Sequence, residues 1–259
     1  MVSLKKMLNR INILFWIIKN KYFLHLFYLL IFFFKKIFLT RVSHKENLSY
    51  KESRTLCKKL HIEKKRVYYY FAKLKKIHNF NPQKKYLRKI HLPRKNRLGG
   101  GSDTELLYNL ISITKPKNII EFGVANGWST IAILEACKKN KTGNLTSIDM
   151  PYYFNNARSM IANLLNKNRY ENWYLFIGPQ INFFKIMKKK YDFCHYDSDK
   201  SYQGRMIAYE KIWNNLNKKG IFLSDDISDN MAFFDFCNLK KKKPFVIKYK
   251  KKFLGIIIR

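Results

Sequence analysis

Acidic side chains are the scarce component of this 259-residue chain: 17 Asp and Glu stand against 52 Lys and Arg, a formal net charge of +35. Any polyanion attracts such a chain, so the charge raises nucleic acid and anionic lipid as partners. Cysteine is scarce too. Cys57, Cys137, Cys194 and Cys237 are far apart and form no C-x-x-C pair, which argues against a disulfide framework or zinc ribbon and fits a reducing cytosolic compartment. Apolar runs of spanning length are missing: the longest charge-free stretch, Tyr22–Phe34, has 13 residues. As a helix it covers about 20 Å of a hydrocarbon core roughly 30 Å thick. No A-x-A-like cleavage site follows it, which argues against a secretory signal. Beyond lysine runs there are no internal repeats and no low-complexity segments. Hydrophobic residues still make up 47% of the chain, enough for a buried core.

The charge is unevenly placed. Residues 1–100 hold 26 basic and 3 acidic side chains, residues 240–259 hold 9 basic and none acidic, and residues 101–239 hold 17 and 14. A nearly neutral module thus lies between a basic front third and a basic tail. Part of the excess is compositional, since abundant Lys, Asn, Ile, Phe and Tyr are the bias of an AT-rich genome.

Residues 1–40 form an apolar and basic segment in which Lys19-Asn20-Lys21 separates Ile11–Ile18 from Tyr22–Phe34. The pattern predicts two short helices hinged at Asn20. It suits an anchor on the inner membrane surface, with Lys5, Lys6, Arg10, Lys35 and Lys36 meeting anionic headgroups; the alternatives are a true span and packing on the protein itself. Residues 41–101 are basic and helical, ending in a linker at Gly99-Gly100-Gly101. Within them, Leu56, Leu60, Ile62, Val67 and Phe71 have the spacing of a DNA-reading helix-turn-helix. Cys57 and His61 stand where that motif prefers a small residue and Gly, which favours a helical cap over the next domain and makes nucleic acid a poor partner.

From Ser102 to Arg259 helices and strands alternate, predicting an α/β module with an open, mostly parallel sheet whose crevice lies beyond the strands' C-terminal ends. Ser102 and Glu105 form a capping box. Strands are expected near 118–122, 145–149, 172–177, 191–196 and 220–225. Helices are expected near 102–112, 128–139, 155–167, 180–188, 203–217 and 229–238, and a hairpin turns at Lys250-Lys251-Lys252.

Chemistry-bearing residues fall at the strand ends. Gly123 permits a tight turn after Glu121-Phe122, and Gly127 lets a ligand approach the backbone at a helix N-terminus. Asp149 ends the next strand, where an acid takes ribose hydroxyls. Asp197, Asp225 and Asp226 lie on adjacent strand tips and form a candidate Mg²⁺ (or other divalent cation) site.

On these residues the stretch 102–259 resembles the class I S-adenosylmethionine-dependent methyltransferases, in the group around catechol and caffeoyl-CoA O-methyltransferases and related sugar-modifying enzymes. Glu121, Gly123, Gly127 and Ser129 match that group's methionine-binding E-x-G-x-x-x-G loop, Asp149 its ribose acid, and Asp197 with Lys200 its D-x-x-K. Asp225-Asp226 matches the acid pair that completes the metal site. The run from His195 resembles the H-x-D-x-D-H-x-Y of the sugar-modifying relatives. Gly178-Pro179-Gln180 replaces the usual G-D-S-like turn and leaves Gln180 as the adenine-side candidate.

The resemblance implies a Rossmann-like doubly wound sheet with a C-terminal antiparallel hairpin, preceded here by a helical extension. It implies S-adenosylmethionine as cofactor, contacted by Glu121, Gly123, Gly127, Ser129, Asp149, Gln180 and Asp197. The implied reaction is metal-assisted O-methylation of a saccharide precursor or small molecule, with Lys200 or His195 as base. The expected location is cytoplasmic and peripheral to the membrane, with oligomers allowed. The rival from another class is a basic membrane- or nucleic-acid-binding protein with an inactive fold of the same kind.

Overall fold

The computed structural model describes residues 2–38, 42–83, 101–150, 161–165 and 170–259. The helix expected over 155–167 lies largely outside them. The front of the chain forms α1 (Val2–Lys19), α2 (Phe23–Phe38), α3 (Val42–Leu60), the short strand β1 (His61–Ile62) and α4 (Lys64–Leu74). The α/β module follows with α5 (Thr104–Thr114), β2 (Asn118–Phe122), α6 (Trp128–Asn140), β3 (Asn144–Asp149), β4 (Trp173–Ile177), α7 (Gln180–Ile186) and β5 (Tyr191–Tyr196). It ends with α8 (Tyr202–Asn214), β6 (Leu216–Ser224), α9 (Ala232–Leu239), β7 (Phe245–Tyr249) and β8 (Lys252–Ile258).

The eight strands among the described residues make one sheet in the order β1-β7-β8-β6-β5-β2-β3-β4. Pairing is parallel from β6 through β5, β2 and β3 to β4, while β8 runs antiparallel to both β6 and β7. Central strands read as continuous apolar runs because helices cover both faces. On one face α4, α5 and α6 pack through residues such as Phe71, Leu107, Ile111 and Ile133. On the other, α7, α8 and α9 pack through Phe183, Tyr209, Trp213 and Phe236. The chain crosses from β2 outward to β3 and β4, then returns to β5, so the sheet has its topological switch between β2 and β5, where a doubly wound sheet opens its crevice.

Two expectations for the front of the chain change. The turn expected near His61 is strand β1, paired parallel to β7 through His61↔Val246 and Ile62↔Ile247. Cys57, Val67, Tyr68, Phe71 and Ala72 are buried, so the apolar spacing serves a cap on the sheet. The α5 cap also sits one residue later than expected: Asp103 Oδ1 accepts from the Leu106 backbone N–H at 3.1 Å. The carboxylate takes the Leu106 amide in place of the Glu105 amide that Ser102 was expected to take, and Lys64 Nζ meets its charge at 3.0 Å. The hinge at Asn20 is present, with Asn20 Nδ2 donating to the Trp16 carbonyl at 2.7 Å and Lys21 in the left-handed region. Among the described residues no helix is long and apolar enough to cross a membrane.

Candidate active site

The turn after β2 is built around Gly123. Its φ of 93° is open to glycine, and a methyl group there would overlap the Asp197 carbonyl oxygen. Gly123 N–H donates to the Ile148 carbonyl at 2.9 Å, and Asp197 N–H to the Phe122 carbonyl at 2.7 Å. The tips of β2, β3 and β5 are therefore laced together at one point, and only a residue without a side chain fits between them. Gly127, at φ 99°, is the N-cap of α6, and a methyl group there would overlap the Leu165 side chain.

Asp149 fixes the shape of this turn. Its Oδ2 accepts the Val124 and Ala125 backbone N–H groups at 2.9 and 2.7 Å, and its Oδ1 accepts that of Met150 at 2.7 Å. Burial pushes its carboxyl up to about 6 despite those three bonds. Glu121 lies below, fully buried, where Oε2 accepts the Thr130 and Ser147 hydroxyls at 2.7 Å each. It pins the first turn of α6 to β3, under the turn rather than at the pocket wall.

A pocket of about 640 Å³ opens above these strand tips, a size typical of small-molecule sites. Of the residues expected to contact cofactor, Gly123, Ser129, Asp149, Gln180 and Asp197 line it, while Glu121 and Gly127 stand behind the wall. Gln180, the adenine-side candidate, lines the pocket, and its Oε1 is buried without a hydrogen-bond partner. His195, one of the two base candidates, does not reach the pocket. It is fully buried in β5 with Nδ1 3.5 Å from Glu121 Oε1. Burial would lower its pKa, but Glu121, Asp197 and Asp225 raise it overall. Its place is that of a brace between β5 and β2.

The acids come together, with lysines among them. Lys200 Nζ bridges Asp197 Oδ1 and Asp226 Oδ2, the latter at 2.9 Å. Lys252 Nζ meets both oxygens of Asp226, at 3.0 and 3.1 Å. Burial would lower the Lys200 pKa, but Asp197, Asp226 and Asp225 outweigh it and hold the ammonium above its ordinary value. A neutral Lys200 base, the sequence expectation, is therefore opposed by the charges around it. Asp225 is pushed up to about 6 by burial and by its two acidic neighbours. One of its oxygens accepts the Asp226 N–H at 2.8 Å, and the other is buried without a partner.

The expected Mg²⁺ site on Asp197, Asp225 and Asp226 is not arranged as such. Among the described residues no group of three His, Cys, Asp or Glu side chains is placed to hold a metal ion. The cations that the acids face are the chain's own ammonium groups.

Several site residues escaped the sequence reading. Lys252 enters from the β7–β8 turn, 26 positions from Asp226, and no local pattern marks it. Arg205 is fully buried beneath the acid pair, its Nη2 donating to the Asp226 carbonyl at 2.9 Å. It follows Tyr202 and Gly204 in the run begun at His195, and nothing in the sequence marks its burial. Asn230 Nδ2 donates to the Lys200 carbonyl at 2.8 Å. The N-terminal helix contributes as well: His25, Tyr28 and Leu29 of α2 line the pocket opposite the strand tips. The His25 and Tyr28 rings stack at 6.3 Å. Burial lowers His25 to about 4 and raises Tyr28 to about 12, with Asp199 acting on both.

Comparison with known proteins agrees with this geometry. Residues 120–227, which contain the glycine turn, Asp149, the acids and Lys200, match a family model described as a methyltransferase domain. No curated protein matches the chain in sequence. In structure it is similar to an O-methyltransferase from Bacillus cereus in complex with S-adenosylhomocysteine, at 14% identity and a TM-score of 0.52, over 64% of this chain and 85% of that one. It is similar also to an S-adenosylhomocysteine-bound methyltransferase from Podospora anserina, at 14% identity and a TM-score of 0.51, over 81% and 94% of the two chains. Residues 120–227 thus match a methyltransferase domain, and the α/β module shares the fold of these S-adenosylhomocysteine-bound methyltransferases.

Proposed function

We propose that this chain methylates a hydroxyl oxygen on a saccharide precursor or other small polar molecule, using S-adenosylmethionine. The observation that carries the reading is one pocket holding both the Asp149-braced glycine turn and the Asp197–Lys200–Asp226–Lys252 cluster. Bound S-adenosylmethionine supplies an electrophilic methyl group on a sulfonium.

The chain's own residues supply the rest. The Asp149 carboxylate faces the pocket from the end of β3, where it suits ribose hydroxyls. Gln180 Oε1 offers an acceptor to an adenine amino group, and the turn at Gly123 gives close backbone approach. On the acceptor side, Lys200 and Lys252 are held as ammonium groups, and their part is to donate hydrogen bonds to the acceptor oxygen as negative charge develops. The hydroxyl proton passes to a carboxylate of Asp197 or Asp226, while the methyl moves to oxygen and leaves the sulfur as a thioether. Holding oxygen and methyl in line supplies much of the rate. The stacked His25 and Tyr28 rings with the Asp199 carboxylate give the acceptor end the mix of flat apolar and hydrogen-bonding surface that suits a polyhydroxylated ring.

Divalent-metal assistance on Asp197, Asp225 and Asp226 would require Lys200 to leave both Asp197 and Asp226. The test is transfer of labelled methyl from S-adenosylmethionine to a panel of mono- and oligosaccharides, with and without chelator. Base-stable label in the sugar, abolished by Asp197→Ala, is expected. Incorporation that is unaffected by that substitution would overturn the assignment of the site.

A further inference from the structure

Helix α2 has two faces with different tasks. His25, Tyr28 and Leu29 line the pocket. Phe23, Phe27, Leu30 and Ile31, spaced i, i+4, i+7 and i+8 and so on the opposite side of the helix, are exposed, Phe23 to 60% and Phe27 to 61%. Helix α1, packed on α2 with the Trp16 and Tyr22 rings 5.3 Å apart, repeats the arrangement. Ile13 and Ile17 are buried, and Ile11, Leu14, Phe15 and Ile18 form an exposed stripe with Phe15 at 66%. Eight large apolar side chains on one helical hairpin exceed the scattered apolar exposure of an ordinary surface.

The sequence that carries this face has charge of one sign. Residues 1–45 contain nine Lys and Arg and no acid, with Lys19 and Lys21 at the hairpin's bend. A second copy of the chain would bring the same cations to the face and be repelled. An anionic lipid surface complements both the apolar stripes and the lysines. Neither helix, at 18 and 16 residues, is long and apolar enough to cross, and a hairpin of this kind suits the plane of the interface.

We propose that the outer face of the α1–α2 hairpin docks on an anionic bilayer surface, seating the pocket, whose wall is the inner face of α2, at the lipid–water boundary. The acceptor is then one presented at that boundary, a clause that rests on the methyltransferase reading. The docking itself does not.

The full chain is tested by co-sedimentation with phosphatidylcholine vesicles with and without about one-third phosphatidylglycerol. Binding at least tenfold stronger to the anionic vesicles is expected. Phe23→Ser with Phe27→Ser should weaken it at least tenfold, and Lys19→Gln with Lys21→Gln by roughly fivefold per lysine. Calorimetric affinity for S-adenosylhomocysteine should be unchanged in both variants, because the substituted residues do not line the pocket. Wild-type chain that binds S-adenosylhomocysteine but ignores anionic vesicles overturns the proposal. So does a dimer that the phenylalanine substitutions dissociate and that does not bind vesicles, which would make a second copy the occupant. Failure to bind S-adenosylhomocysteine instead overturns the methyltransferase reading, and the vesicle result still decides the docking.

Discussion

Asp149→Asn separates holding the fold from holding the ligand. In the wild type the carboxylate accepts three backbone N–H groups, two on Oδ2 and one on Oδ1. An amide keeps one acceptor oxygen. If that oxygen stays on Val124 and Ala125, the new NH₂ group faces the Met150 N–H, and one hydrogen bond to a charged group is lost, worth about 1.5–3 kcal/mol. Against this stands the cost of the buried charge. A carboxyl raised from 3.8 to about 6 is favoured in its protonated form by the fold, so its contribution to stability declines as pH rises between those values. The ionised group then costs about 3 kcal/mol at neutral pH. That cost is already net of the three hydrogen bonds, so the unfolding free energy of Asp149→Asn at pH 7 should be no lower than that of wild type. Ligand binding has no such compensation, since the turn loses its brace and ribose hydroxyls lose a charged acceptor. The S-adenosylhomocysteine affinity should fall roughly 30- to 100-fold, the equivalent of about 2–3 kcal/mol. The wild-type affinity should also weaken as pH falls through about 6, and the variant should show no inflection there. Calorimetry across pH 5–8 with parallel urea melts reads both quantities. An affinity unchanged in the variant, or an inflection shared by both proteins, would refute the reasoning.

Three further substitutions and one reagent test other parts of the account. Gly123→Ala places a methyl on the Asp197 carbonyl at a positive φ, and should lower stability by about 2 kcal/mol or more and remove cofactor binding, as read by melting and calorimetry. Gln180→Ala removes the open acceptor in the pocket and should weaken S-adenosylhomocysteine about tenfold, with adenosine competition reporting the same loss. Arg205→Met leaves the Asp225 and Asp226 carbonyls without their buried donor and should lower the melting temperature and activity together, since the acid pair then loses its support. Because lysines occupy the acid cluster, methyl transfer should persist in excess chelator; loss restored by added Mg²⁺ would return the divalent ion to Asp197, Asp225 and Asp226.

What the sequence showed was local. The turn at Gly123 and the acid at Asp149 are legible because strand, glycine and helix follow one another within a few residues and each carries its own periodicity. The helix–strand alternation fell close to the observed elements for the same reason. Long-range features were not legible. His61–Ile62 is a strand only because β7, 185 positions away, pairs with it; two residues carry no period of their own. Lys252 reaches Asp226 through a hairpin whose register no spacing reveals. Asp103 displaced Ser102 as cap because Lys64, outside the module, meets its charge. The apolar front end allows both a membrane face and packing on the protein, and no spacing within it marks His25 and Tyr28 as pocket residues. The clustering of the acids was legible from their strand-tip positions and Lys200 from its spacing to Asp197, but the ion pairs that Lys200 and Lys252 make with Asp226 were not.

The central claim is that the pocket over β2, β3 and β5 binds S-adenosylmethionine. Isothermal titration of the full chain with S-adenosylhomocysteine tests it most directly. Saturable binding in the micromolar range at one site per chain, weakened by Asp149→Asn, is the predicted result. Absence of binding at millimolar ligand to a chain that melts cooperatively would contradict it.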